Sequence, residues 1–167
     1  MTTLDSVPYR KRREGNAFRV VVSKTVNSLS GSLKATLEAT GEGEHYIITD
    51  AIVISSHAAR AQLVSSNGVT EGTEVPILNS RLDLGEFTGN ITALQDATVD
   101  VEFEENFVPV GGGKGAIRLG GVQAGGVVVL PSGKSVSVNV ENLTDESSVT
   151  MSVMFLGYRV RSKLGDE

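Results

Sequence analysis

The sequence predicts an all-β fold, an antiparallel β-sandwich, and three observations carry that prediction. Valine is abundant, with 23 copies, and glycine adds 19; β-branched side chains suit a pleated, half-buried surface. No stretch sustains a long helical apolar period, whereas several alternate apolar and polar residues at period two. Turn-forming clusters punctuate the chain about every 8–12 residues, the spacing of short strands joined by tight connections. A chain of 167 residues reads as one domain with tails. A jelly roll is the favoured topology at this length. Its core is large enough to need neither a metal nor a disulfide.

Taken in order, residues 1–16 read as an extended basic arm, because Pro8, four consecutive basic residues and Gly15-Asn16 interrupt any strand pattern. The sandwich is expected over 17–161. Its first strands are "AFRVVVSK" (17–24), "SLKATLEA" (32–39) and "HYIITDAIVIS" (45–55). In the second, Leu33, Ala35 and Leu37 alternate with Lys34, Thr36 and Glu38, which places one face on a core and the other in water. The segment "SSHAARAQLVSS" (55–66) is open between a helix capped by Ser56 and a continued strand.

Further strands are expected at 98–107, 115–121, 125–131, 134–142 and 148–161. In "TVDVEFEENF" Val99, Val101 and Phe103 alternate with Asp100, Glu102 and Glu104, so the apolar set should face the core. "GGVVVLP" is continuously apolar and reads as a central strand or one covered on both faces. Turns are expected at "SLSG", "GEGE", "SSNG", "TEGTE", "PVGGGKG", "PSG" and "NLTDESS". The tail 162–167 should fray.

The motifs that could carry chemistry fail on spacing. Gly133-Lys134-Ser135 follows an apolar run, as half a phosphate loop would, but Val128 stands where that loop needs its first glycine. The residues after it read as a strand rather than the helix whose amides would meet a phosphate. A Pro-x-Gly turn between two antiparallel strands accounts for every residue, with Lys134 facing solvent. His45 and His57 are the only histidines. A triad of Ser55 or Ser56 with His57 and Asp50 lacks a nucleophile turn. Cysteine is absent, which excludes a disulfide scaffold, a thiol nucleophile and a sulfur-ligated zinc site. Asp100, Glu102 and Glu104 read as a solvated strand face. No catalytic residue, cofactor or metal site is expected. Aromatic residues make up only 5%, which disfavours stacking platforms for sugars or single-stranded nucleic acid.

Charge is distributed unevenly. Arg10, Lys11, Arg12 and Arg13 against Asp5 and Glu14 give the first 16 residues +2, so the remainder carries −7 of the total −5. Tyr9, Arg10, Lys11, Arg12 and Arg13 are therefore the candidate partner-binding residues. An acidic protein neighbour is favoured over nucleic acid, and a merely solvated terminus stays equally open. No run reaches the length of a membrane span or a signal-peptide core. Export is not expected, and a role outside a cell would follow release by lysis.

The C-terminal segment "VVVLPSGKSVSVNVENLTDESSVTMSVMFLGYRV" (127–160) resembles the closing strands of jelly-roll cement or decoration proteins of tailed-bacteriophage capsids. The likeness lies in a Pro-x-Gly turn, an alternating strand ending Val-Glu-Asn, a polar loop and a last strand ending Leu-Gly-Tyr-Arg. The resemblance implies a non-enzymatic virion protein, made in the host cytoplasm and bound to the outer capsid surface. It implies a homo-oligomer, dimer or trimer, whose arm at Tyr9 and Arg10–Arg13 reaches a major capsid protein. The strands at 127–130 and 149–156 are candidate contacts between copies. A host-recognition or carbohydrate-binding module of a phage tail or fibre is the alternative.

Overall fold

The computed structural model describes residues 7–112, 116–118 and 128–161. Two antiparallel sheets face each other. The first runs β10 (Ala116–Arg118), β3 (Glu44–Ser55), β13 (Val149–Arg161), β1 (Ala17–Val26) and β6 (Leu78–Asn79), with β11 (Val128–Leu130) also on β3. The second runs β5 (Thr73–Val75), β7 (Ile91–Gln95), β2 (Ser32–Ala39), β12 (Ser135–Asn142), β4 (Ala59–Thr70) and β8 (Thr98–Glu104), with β9 (Val108–Val110) also on β4.

The pairing follows one rule. The first four strands meet later strands in nested order: β1 with β13, β2 with β12, β3 with β10 and β11, and β4 with β8 and β9. The chain is thus one long antiparallel hairpin. It rolls up so that β13 also pairs β3 and β12 also pairs β4. That is the jelly roll. Period two then places Val20 and Val22 of β1, Leu33 and Leu37 of β2, Val136 and Val138 of β12, and Val153 and Phe155 of β13 in one buried core. Each such side chain contributes roughly 1.5–3 kcal/mol on burial.

Strand β2 has the predicted bounds, and β1, β3, β12 and β13 lie within two residues of theirs. Residues 59–70 are strand β4, which settles the ambiguity over 55–66. Both edges of β4 are taken, by β12 and by β8 with β9, and cross-strand pairing decides the conformation. The expected turn at Ser65–Gly68 is instead a bulged part of β4. The register against β8 shifts at Ser65/Ser66 and again between Ser66 and Val69, which absorbs Asn67 and Gly68.

Two further expectations are corrected. β8 is the edge of its sheet and is exposed on both faces, so Val101 and Phe103 do not enter the core. Among the described residues it pairs with β4 alone, with Phe103 opposite Ser65 and Val101 opposite Ser66 on either side of the first register shift. β11 is likewise an edge strand: Leu130 points inward and Val129 outward into solvent. An unbroken apolar run here marks a short edge strand rather than a central one.

The turn of Pro131–Lys134 forms as expected. Lys134 N–H reaches the Pro131 carbonyl at 3.1 Å, and Gly133 takes φ +86°, open only to glycine at little cost. It does not close a hairpin, since β11 and β12 belong to different sheets, and it carries the chain across the sandwich. The GGGKG loop lies largely outside the described residues, as do residues 1–6 and the 162–167 tail.

Candidate interaction site

The basic segment is a helix. α1 spans Val7–Glu14, which corrects the extended arm. Pro8 and Gly15, two of the residues that mark the arm in the sequence, are its boundaries. Pro8 sits in the first turn, where a missing N–H costs nothing. Gly15, at φ +81°, closes a Schellman motif: its N–H bonds the Arg12 carbonyl at 3.1 Å, and the Asn16 N–H bonds the Lys11 carbonyl at 2.8 Å. Lys11, Arg12 and Arg13 fall in the last turn, where cations complement the helix dipole.

The helix is anchored to the body by residues that sequence reasoning did not single out. The buried Asn79 donates from Nδ2 to the Gly15 carbonyl at 2.9 Å and accepts the Arg81 N–H at 2.9 Å. Arg81 donates to the Arg13 carbonyl at 3.4 Å. Asn16 continues the β1–β13 ladder, accepting the Arg159 N–H at 2.8 Å. The five predicted residues divide accordingly. Lys11 lies over the Tyr158 ring at 6.0 Å and faces the body. Arg12 and Arg13 flank the Tyr9 ring at 6.0 and 5.8 Å. Tyr9, Arg10, Arg12 and Arg13 are exposed. Tyr9, Arg12 and Arg13 border an open hollow with Ser80 and Arg81, so Arg81, distant in sequence, joins the cationic surface.

Gly15→Ala is expected to weaken this arrangement by about 1–2 kcal/mol, the cost of a left-handed non-glycine residue. The added Cβ would also lie 2.6 Å from Leu84 Cδ1. Limited trypsin digestion reads the effect, because cleavage at Arg10–Arg13 follows local opening. Cleavage should accelerate several-fold while the sandwich stays intact. An unchanged rate would contradict the capping role.

A second network ties α1's exit to the core. Arg159, only 11% exposed at its side chain, donates to Asn16 Oδ1 at 2.8 Å and the Thr88 carbonyl at 2.5 Å. It also lies over the Phe87 ring at 4.9 Å. Glu44 approaches Arg159 at 4.0 Å and Arg161 at 3.4 Å, and accepts the Tyr46 hydroxyl proton at 2.6 Å. Tyr46 in turn accepts the Asn90 N–H at 2.9 Å. Burial by itself raises the Glu44 pKa. The Tyr46 hydrogen bond, the Arg159 charge, the Asn90 backbone and Arg161 outweigh it and hold the carboxyl below its ordinary value. Burial and the hydrogen bond to Glu44 push the Tyr46 phenol up.

Lys134, Glu102, Ser55 and Ser56, weighed for chemistry, make these contacts. Lys134 reaches Asn67 Oδ1 and lies 3.3 Å from Glu102 Oε2, so it pins the turn to the β4–β8 ribbon. Hydrogen bonds from Asn67 and Lys134, with the lysine charge, lower the Glu102 pKa. The Ser55 hydroxyl donates to the His57 carbonyl at 2.6 Å. Ser56 Oγ lies 2.9 Å from His57 Nδ1 and accepts the Thr150 N–H at 3.0 Å. Both hydroxyls thus shape the β3–β4 connection and tie it to β13. Between the edge strands β8 and β11 a cleft of about 280 Å³ opens toward the core, lined by Leu63, Phe103, Leu130 and Val136 among others.

No protein-family model and no curated protein matches the chain. Among solved structures, the carbohydrate-binding module TmCBM61, determined with β-1,4-galactotriose, aligns at 11% identity and a TM-score of 0.21. The alignment covers 89% of this chain and 66% of the module. The Washington University polyomavirus VP1 pentamer aligns at 10% identity and a TM-score of 0.19, over 88% of this chain and 76% of VP1. At these scores neither likeness bears on what this chain binds.

Proposed function

We propose that the chain is a non-enzymatic structural protein of a phage virion that binds the outer surface of the assembled capsid and stabilises it. The observation that carries this reading is the ordered cationic helix α1. A protein neighbour with an acidic surface meets exposed Arg10, Arg12 and Arg13 on a preformed helix, so little ordering entropy is lost on contact. The closing segment on which the resemblance to decoration proteins rests forms β11, the Pro131–Lys134 turn, β12, a polar loop and β13. Binding the assembled shell but not free coat subunits would stabilise the shell by mass action. Many copies on one shell multiply a modest single-site affinity.

Co-sedimentation tests this with capsids assembled without the protein, dissociated coat subunits and a glycan array. The protein should pellet with shells and leave the subunits in solution. Binding to glycans with no binding to shells would overturn the capsid reading in favour of a carbohydrate-recognition module.

A further inference from the structure

Lys134, Asn67 and Glu102 come from three segments and close a triangle of contacts. Two of them sit in the irregular part of the β4–β8 ladder. The register passes from Ser65↔Phe103 to Ser66↔Val101 and then to Val69↔Val99, which leaves Glu102 on one strand and Asn67 and Gly68 on the other outside it. Bulges re-aim side chains, and here both turn toward the Pro131–Lys134 turn. That turn is anchored on two sides: the Lys134 N–H bonds the Pro131 carbonyl at 3.1 Å, and the Lys134 carbonyl accepts the Ala39 N–H at 3.1 Å.

The contacts divide as an acyl transfer requires. Lys134 Nζ donates to Asn67 Oδ1, so an amine faces a carboxamide carbonyl. Glu102 Oε2 lies 3.3 Å from Lys134 Nζ and 3.3 Å from Asn67 Nδ2. One carboxylate oxygen thus spans the nucleophile and the nitrogen that would leave. Hydrogen bonds from Asn67 and Lys134, with the lysine charge, lower the Glu102 pKa, so the carboxylate is ionised and able to take a proton.

We propose that these residues form an intramolecular isopeptide bond between Lys134 Nζ and Asn67 Cγ, with loss of ammonia. Glu102 takes one proton from the Lys134 ammonium, and the neutral amine adds to Cγ. Glu102 hands that proton to Nδ2 as the Cγ–Nδ2 bond breaks. The surplus proton on the adduct nitrogen leaves with the ammonia, as ammonium. One C–N bond forms and one breaks, with no redox change. The bond would staple β4 to the turn before β12 and constrain the unfolded chain as any crosslink does. A single self-directed event involves no turnover, and the inference stands apart from the capsid reading.

Attack needs the neutral amine, which is scarce at neutral pH because lysines in general titrate near about 10.4. The charged groups flanking Lys134 are carboxylates: Glu102 on β8, Glu105 at the cleft mouth and Glu38 opposite Ser135 on β2. Bond formation should therefore be slow at neutral pH and accelerate in alkali.

Intact-mass spectrometry reads the reaction as a species lighter by one ammonia, present at isolation or accumulating at least about tenfold faster in alkali than at neutral pH. Tryptic digestion should then release a branched peptide that joins Asn67 to Lys134. Lys134→Arg keeps the charge but should form no branched peptide, and Glu102→Gln should slow its formation at least about tenfold. The two side chains are 42% and 49% exposed, so both variants should fold. The proposal is overturned if ammonia is lost neither before isolation nor in alkali, or if it is lost without a branched peptide. It is equally overturned if Lys134→Arg loses ammonia as fast as wild type, the outcome of Asn67 cyclising onto the Gly68 nitrogen instead. Glu102→Gln reacting at the wild-type rate would overturn the proton transfer assigned to the carboxylate.

Discussion

Arg159→Ala is expected to cost about 3–5 kcal/mol of folding stability, the loss typical of breaking a buried charged pair from one side. Three kinds of contact disappear together. The Thr88 carbonyl and Asn16 Oδ1 lose a charged donor, the Phe87 ring loses the guanidinium above it, and Glu44 loses the better buried of its two cations, keeping the exposed Arg161 and the Tyr46 hydroxyl. Because a domain of this size is stable by about 5–15 kcal/mol, urea unfolding will show a large fall in midpoint. The variant should also change the acid limb of the stability curve. Glu44 has a lowered pKa in the folded state. It therefore contributes stability above its unfolded value of about 4.3, and the contribution is lost as pH falls through the folded value. Without Arg159 that loss should shrink. A loss of unfolding free energy below about 1 kcal/mol, the range of a surface pair, would contradict the role assigned to this network.

Phe18→Ala should be comparably severe, at about 3–5 kcal/mol. Phe18 is fully buried at the start of β1 and forms an aromatic trio with Tyr46 and Phe87, at centroid distances of 6.1 and 5.4 Å. Its ring also occupies the space beside Gly157, where an added Cβ would come within 2.8 Å of it. The site is held by β1, β3, β13 and the loop carrying Phe87, so it has little freedom to collapse, and the cavity term is retained. Phe18→Leu, which nearly conserves volume, should cost less than about 1.5 kcal/mol. Equal losses for the two variants would show that ring packing is not what Phe18 contributes.

These two positions also show where sequence reading stops. β1, β2, β12 and β13 were legible because period two and turn residues agree with the tertiary pairing. The short strands β5, β6 and β7 left no period to detect: they span two to five residues around Pro76, Gly85 and Gly89, and they form by adding to the edges at β1 and β2. α1 reads in the sequence as an arm because Pro8, the basic run and Gly15-Asn16 carry no strand period, yet Pro8 opens the helix and Gly15 caps it. The apolar alternation of β8 was real, but alternation reports only that two faces differ, not that either is covered.

The Arg159 network did leave a trace. Along β13 the buried positions are Val149, Met151, Val153, Phe155 and Gly157, and Arg159 continues that parity. A charge on the core-facing parity implies a buried partner. Glu44 holds the matching place on β3, on the same parity as Tyr46 and Ile48. What no local pattern contains is that residues 16, 44, 88 and 159 meet, because only the rolled hairpin brings them together.

Binding of assembled shells by a triple variant, Arg10→Gln, Arg12→Gln and Arg13→Gln, tests the central claim most directly. Glutamine keeps helix propensity close to that of arginine, so α1 persists while its exposed cations are removed. The account predicts at least a tenfold loss of shell affinity, and a wild-type affinity that itself falls with salt as exposed charges are screened. Shell binding by the variant equal to wild type, with the same salt dependence, would contradict it.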